Sequence, residues 1–137
     1  MVASWADLRE ACAPALADLE RSRPGLLHLG PAPDGVPPVD PWGNDVSILW
    51  LWETGGRAGT GIWLGDPDEQ LWQAVLRATE TVQEAATDAV WGAWPECPDH
   101  PDSHPLDPLL TDGVPAWVCP ASRRTVSRVG ELGVHLG

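Results

Sequence analysis

The first hydrophobic pattern along the chain is that of an amphipathic helix. Apolar side chains recur at helical spacing over residues 4–20, and Ser4 with Asp7 has the arrangement of a capping box at the helix start. Pro14 lies inside this pattern, so we expect the helix to be kinked or divided there. The short apolar run at 26–29 is compatible with either a strand or a packed loop.

A β-hairpin is predicted after a proline-rich, extended connection over residues 30–43. Residues 45–53 are apolar on both faces of a strand, which is typical of a central strand covered on both sides. The glycine-rich segment 54–59 has the composition of a turn, and residues 60–64 are expected to return as the second strand.

A second, longer helix is predicted between Asp66 and Gly92. Asp66 is placed as its N-cap, Pro67 at its first position and Glu69 as the acid of a capping box. The apolar stripe then continues for about 24 residues, or roughly 36 Å, until Gly92 ends the helix. The outward face of this helix carries three acidic side chains: Glu80, Glu84 and Asp88.

The fold class that these elements predict is α+β, with a single domain over residues 1–137. Residues 1–94 are expected to form a core of N-terminal helix, hairpin and long helix. Residues 95–137 are expected to form a β module with a turn at Asp112 and Gly113. We expect the strands of this module to extend the small antiparallel sheet that the long helix covers.

Net charge excludes several kinds of partner. Twenty acidic residues and eight basic ones, all arginine, give a formal net charge of −12. A positive footprint for nucleic acid or anionic membranes is missing, so neither is expected as a partner. No apolar run approaches the ~20 residues of a membrane span, and the N-terminus lacks signal-peptide features. We therefore expect a cytoplasmic protein.

Cysteine and histidine residues after position 95 have the spacing of a tetrahedral zinc site. They follow the pattern Cys-x2-His-x3-His-x14-Cys, and thiolate with imidazole is a ligand combination that Zn²⁺ prefers. The predicted ligands of a structural zinc ion are Cys97, His100, His104 and Cys119. For the fourth ligand, the alternatives to His104 are His135, Asp99 and Asp102.

Two short motifs here resemble the knuckles of a zinc ribbon, whose usual pattern is Cys-Pro-x-Cys in each half. They are Cys-Pro-Asp-His at 97–100 and Cys-Pro-Ala-Ser at 119–122. The resemblance covers about residues 95–122 and implies that 106–118 form the β-hairpin of the ribbon. Ser122 stands where the ribbon has its fourth ligand. The whole chain is also similar to small proteins of high-GC bacteria that end in a Cys/His module, a likeness that implies no activity.

Other interpretations of these residues stay open at this point. Cys97 and Cys119 are also compatible with a disulfide or with two buried thiols. A catalytic zinc with three protein ligands and a water would have Glu96 as its general base. No His-Glu-x-x-His motif, phosphate-binding loop or nucleophile elbow occurs in the sequence. Cys12 lies on the apolar face of the first helix and fits a core position.

Two groups of residues near the Cys/His segment are candidates for binding. Trp91, Trp94 and Trp117 flank the segment and form either an aromatic binding surface or packing beneath the metal loop. Arg123 and Arg124, with Arg128 nearby, form a basic cluster that is suited to a carboxylate or phosphate group. The alternative for these arginines is a solvated turn facing the acidic body.

These observations favour a non-enzymatic, acidic binding or adaptor protein with a structural zinc site. Residues 31–112 hold fifteen acidic residues and two arginines, so a basic protein partner is expected. An immunity-type protein or an accessory subunit would fit this description. The alternative is a small zinc-dependent hydrolase or deaminase. The sequence leaves the identity of the partner and the oligomeric state open.

Overall fold

The fold is seen in a computed structural model that describes residues 5–31, 33–34, 49–56, 59–62 and 69–133, with the backbone alone for 5–7. This part of the chain contains two helices and six strands: α1 (Trp5–Ser22), β1 (Leu27–Gly30), β2 (Leu49–Glu53), β3 (Gly59–Ile62), α2 (Leu71–Val90), β4 (Asp107–Thr111), β5 (Val114–Val118) and β6 (Thr125–Arg128). The strands form two antiparallel sheets, with the orders β1-β2-β3 and β4-β5-β6. The α+β class is therefore confirmed.

The first helix is continuous through its proline. α1 runs from Trp5 to Ser22 with Pro14 inside it, so the helix is not divided there. Proline removes one backbone hydrogen bond from a helix, and burial of an apolar face against the core offsets that loss. The buried apolar side chains of α1 are Leu8, Ala11, Cys12, Ala15 and Leu19.

The first sheet contains the predicted hairpin and one further strand. β2 lies between β1 and β3, so its prediction as a central strand is confirmed, and the run at 26–29 supplies β1. The side chains of Leu49 and Leu51 are buried, while those of Trp50 and Trp52 point to the other face. The predicted residues 45–48 and 63–64 lie outside the described part of the chain.

Glycine on β3 allows a tryptophan ring to approach the sheet closely. Gly59 pairs with Trp52, whose ring stacks on that of Trp50 at a centroid distance of 5.7 Å. A Cβ atom at Gly59 would lie 2.7 Å from a ring carbon of Trp52. The backbone of β3 therefore forms part of the surface on which this ring lies.

The second helix begins later than predicted. Its N-cap is Gln70, so the prediction of Asp66 as the N-cap was wrong; Asp66 and Pro67 lie outside the described residues. The Gln70 N–H donates to Oε1 of Gln73 at 2.7 Å, which satisfies the helix start without an acidic residue. Glu69 instead accepts hydrogen bonds from Arg77. The helix has 20 residues and is roughly 30 Å long.

α2 ends at Val90, and its C-cap residue lies one position before the predicted glycine. Trp91 caps the helix in the left-handed conformation, with φ 57° and ψ 40°, and its N–H donates to the carbonyl of Thr87. This position usually favours glycine, because a Cβ atom is strained there. The Trp91 side chain is 94% exposed.

The C-terminal strands form a sheet of their own, so the prediction that they extend the first sheet was wrong. β4 and β5 are joined at Asp112 and Gly113, whose φ angles of 50° and 80° suit a tight hairpin turn. β6 then pairs with the free edge of β5. Each sheet is thus built from strands that are consecutive in sequence, and the connections within the second sheet are short.

A buried carboxylate joins α1 to the second sheet. Asp18 is fully buried, and its Oδ2 accepts hydrogen bonds from Nε1 of Trp117 at 2.8 Å and from the Gly130 N–H at 2.7 Å. Its Oδ1 accepts from Arg21 at 2.6 Å and from the Leu132 N–H at 2.9 Å. Burial raises the pKa of the Asp18 carboxyl, while these donors oppose the rise.

Candidate metal centre

Four side chains from two loops converge at one point beside the second sheet. The ligand atoms of Cys97, His100, His104 and Cys119 all lie within 4.8 Å of one another. Nδ1 of His100 lies 3.5 Å from the Sγ atoms of both cysteines, and Nε2 of His104 lies 4.0 Å from Sγ of Cys119. Both cysteines are buried and both histidines are half-buried. The four side chains can bind one metal ion.

These separations match those in a tetrahedral zinc site. Zn–S and Zn–N bonds of about 2.3 and 2.05 Å at the tetrahedral angle put sulfur and nitrogen about 3.6 Å apart. The two contacts of His100 agree with this value, and that of His104 is slightly longer. Two thiolates and two imidazoles are also a donor set that holds Zn²⁺ in structural sites. The residues present therefore fit this ion.

The loop that carries the first three ligands is closed by backbone hydrogen bonds. The N–H of Cys97 donates to the carbonyl of His104 at 3.2 Å, and the N–H of His100 donates to the carbonyl of Cys97 at 3.2 Å. The N–H of Leu106 donates to Pro95 at 2.9 Å, and Nε2 of Gln83 on α2 donates to the Leu106 carbonyl. These bonds hold the three ligands on one side of the loop and tie it to α2.

The loop after β5 presents the second cysteine. The N–H of Cys119 donates to the Arg124 carbonyl, and the N–H of Arg123 returns to the Cys119 carbonyl, both at 2.9 Å. The N–H of Ser122 donates to Sγ of Cys119 at 3.4 Å. Hydrogen bonds from Ser122 lower the pKa of the Cys119 thiol to about 6, so a thiolate that could bind a metal ion is present at neutral pH.

Ser122 therefore serves the sulfur as a hydrogen-bond donor and is not one of the four converging ligands. Sequence analysis identified only that Ser122 stands where a zinc ribbon has its fourth ligand. The available signal for this role was the spacing. A residue three positions after a cysteine can turn its backbone N–H back to the sulfur atom.

The tautomer of His104 follows from its second nitrogen. Nδ1 lies 3.0 Å from the carbonyl oxygen of Pro105, which can only accept, so Nδ1 carries the proton. Nε2 then has a free lone pair on the side of Cys119. A metal-binding histidine typically has its other N–H held in this way.

Neither of the two described alternatives to His104 as fourth ligand, Asp99 and Asp102, is part of the cluster. Asp99 accepts two hydrogen bonds from Arg124, at 2.6 and 2.9 Å, and these lower the pKa of Asp99. Asp102 does not belong to the converging set, and His135 lies outside the described residues. The ion pair between Asp99 and Arg124 links the two ligand loops to each other.

The three cysteines differ in their surroundings. Cys97 and Cys119 are free thiols in the cluster and are not joined by a disulfide. Cys12 is also free and lies fully buried among the apolar side chains of α1. Burial raises the pKa of the Cys12 thiol to about 12, so this thiol stays protonated and unreactive in the folded protein.

The candidate binding residues are placed in different environments. Trp94 and Trp117 are buried and meet edge to face at 5.6 Å, and Nε1 of Trp94 donates to Oγ of Ser22. Of the three flanking tryptophans, Trp91 alone is exposed. Arg124 is engaged by Asp99, while Arg123 is exposed with a φ of 67°.

No protein-family model, curated protein or solved structure matches this chain. Neither helix of the described part has the length and apolar composition that are required to cross a membrane. The chemistry of the site is therefore argued from its own geometry.

Proposed function

We propose that Cys97, His100, His104 and Cys119 bind a structural Zn²⁺ ion in a degenerate zinc ribbon, and that the protein is a non-enzymatic binding protein. The observation that carries this proposal is the convergence of the four ligand atoms within 4.8 Å. Zinc in such a site cross-links two loops and stabilises a module that buries few apolar side chains.

The ligand count supports a structural site over a catalytic one. Four protein ligands complete a tetrahedron and leave no position for the water that a zinc hydrolase or deaminase activates. Glu96, the candidate general base of the alternative function, accepts a hydrogen bond from the N–H of Asp102. Its carboxylate thus has a role within the loop itself.

The acidic character of the chain supports a basic protein as the partner. Three exposed acidic residues follow one another at four-residue spacing along α2, on the face opposite its buried side chains: Glu80, Glu84 and Asp88. A row of like charges on a rigid helix attracts a basic surface and disfavours acidic ones. An immunity-type protein or an accessory subunit would use such a face.

Metal content is the first test. Native mass spectrometry with elemental analysis should find one zinc per chain in the wild type, and less or none after His104→Ala. His28→Ala is the matched control, because His28 lies on β1 and contacts Thr54 instead of the cluster. Wild-type protein without zinc would contradict the structural-zinc proposal. Tight zinc in His104→Ala would indicate an open site and favour the enzyme.

The partner proposal has a separate test. Reversal of Glu80, Glu84 and Asp88 to lysine should abolish a complex that weakens steeply as salt is raised. A variant that reverses Glu10 and Asp34, two exposed acids elsewhere, is the control and should retain the complex. A complex that is insensitive to salt and to the α2 reversal would contradict the proposed acidic interface.

A further inference from the structure

A groove of about 520 Å³ lies where α1, the start of α2 and the second sheet meet. Its apolar lining includes Pro14, Leu71, Trp72, Val75, Pro115 and Val129. Leu71 and Trp72 are 43% and 39% exposed, so the groove presents apolar surface to the solvent. A volume of roughly 300–1,000 Å³ is typical of pockets for small molecules.

Two opposite charges line the same groove. Arg128 ends β6, Glu131 follows three residues later, and both belong to the lining. The Glu131 N–H donates to the Arg128 carbonyl at 3.0 Å, which closes a turn and keeps their Cα atoms within about 7 Å. Neither side chain forms an ion pair with any residue in the described part of the chain.

The first turn of α2 also lines the groove. Leu71 and Trp72 belong to the first turn of this helix, where the backbone dipole favours an anion. The first turn contains no acidic residue that would occupy that position. The groove thus combines an apolar wall, a site for an anion at Arg128 and a site for a cation at Glu131.

We propose that this groove binds a free apolar α-amino acid. Arg128 binds the carboxylate in a bidentate contact, Glu131 binds the ammonium group, and the side chain packs on Trp72. A free amino acid carries its ammonium and its carboxylate on the same Cα atom, whereas in a peptide they belong to different residues. A site that binds both groups side by side therefore selects a free amino acid over a peptide. None of the four metal-cluster residues lines the groove, so the site is separate from the proposed zinc centre.

Binding of L-phenylalanine to the folded, zinc-loaded chain tests the proposal by isothermal titration calorimetry. We expect a Kd of about 1 mM or tighter. Arg128→Gln and Glu131→Gln should each weaken binding about tenfold, because each leaves one ligand charge unpaired. Trp72→Ala should weaken it as well. Arg123→Gln and Glu10→Gln are matched controls outside the groove and should bind as the wild type does.

Analogues separate the contributions of the two charges and the side chain. Phenylpropionic acid lacks the ammonium, phenylalaninamide lacks the carboxylate, and glycine lacks the apolar body. Each should bind at least about tenfold more weakly than phenylalanine. The proposal is overturned if the folded wild type does not bind phenylalanine, or if the groove variants bind it unchanged. Phenylpropionic acid binding equally well would also overturn it, because the site would then recognise a simple anion.

Discussion

The two sheets of this protein have the same topology and are stabilised by different interactions. Each is an antiparallel arrangement of three strands in sequence order. The first sheet packs the buried side chains of Leu49, Leu51 and Ile62 into the apolar core beneath the helices. The second sheet contributes fewer bulky apolar side chains. The loops beside it hold the Cys/His cluster, and partners of Asp18 lie on β5 and after β6.

The difference shows how a small sheet can be stabilised without a large core of its own. Apolar burial contributes about 25 cal/mol per Å² and therefore needs many large side chains. The second sheet buries one such side chain fully, that of Trp117, whose indole N–H donates to Asp18, and the Cys/His cluster beside the sheet could bind a metal ion. Loss of specific ligands should therefore affect the second sheet, and loss of packing should affect the first.

The largest expected effect is loss of the second sheet on removal of a metal ligand. Structural zinc sites contribute apparent free energies of about 10–16 kcal/mol, so Cys119→Ser should disorder much of residues 95–133 while α1 and α2 persist. Hydrogen exchange followed by mass spectrometry measures each region separately. Cys12→Ala is the control cysteine variant and should keep its zinc. Equal loss of protection in both sheets would show that they are one cooperative unit.

Truncation of a buried side chain in the first sheet should lower stability without a loss of zinc. Leu51→Ala removes a buried side chain from the core and should lower the free energy of unfolding by about 3–5 kcal/mol. Zinc content in the folded protein should stay at the wild-type level. Urea unfolding and elemental analysis provide the two measurements, with exposed Leu109→Ala as the control. Simultaneous loss of zinc would contradict the division between the two sheets.

Asp18 joins two regions, α1 and the second sheet, and its replacement should affect both. Asp18→Asn keeps the size of the side chain but places NH₂ donors among the donors of Trp117, Gly130 and Leu132. We expect a loss of about 2–3 kcal/mol in urea unfolding, together with a change in the emission of the tryptophans. An exposed acid on the same helix, Glu10, supplies the control variant Glu10→Gln. If stability is unchanged, the carboxylate does not join the two regions.

The smallest expected effect concerns the ion pair that links the ligand loops. Arg124→Gln removes the contact with Asp99 and should accelerate the transfer of zinc to a chelator a few-fold, with little change in stability. Its neighbour provides the matched control, Arg123→Gln. Transfer rates measured with a colorimetric chelator report the difference. Equal rates in both variants would mean that the ion pair plays no part in retaining the metal.

Local patterns predicted the elements that depend on local interactions. The helical spacing in α1 and α2, the apolar character of β2 and the glycine turn after it all correspond to observed elements. The Cys/His spacing identified the four residues that the structure brings together. The first three ligands lie in one short loop and a single hairpin separates them from Cys119, so their spacing in sequence carries most of the information about their spacing in the fold.

Long-range partners were not predictable in the same way. Asp18 shares the apolar face of α1, and apart from Arg21 on the same helix its partners lie about a hundred residues later. The pairing of β6 with β5, and not with the first sheet, also depends on contacts between distant segments. The left-handed conformation of Trp91 could not be predicted either, because Gly92 beside it was the better candidate for that conformation.

The close approach of Trp52 to Gly59 has a consequence for how this sequence can vary. Any side chain at position 59 would overlap the indole ring, whose nearest carbon lies 2.7 Å from where a Cβ atom would stand. Substitution at 59 is therefore permitted only after the residue at 52 becomes smaller. In homologous chains the two positions should change together, and the order of the changes should be that the tryptophan is lost first.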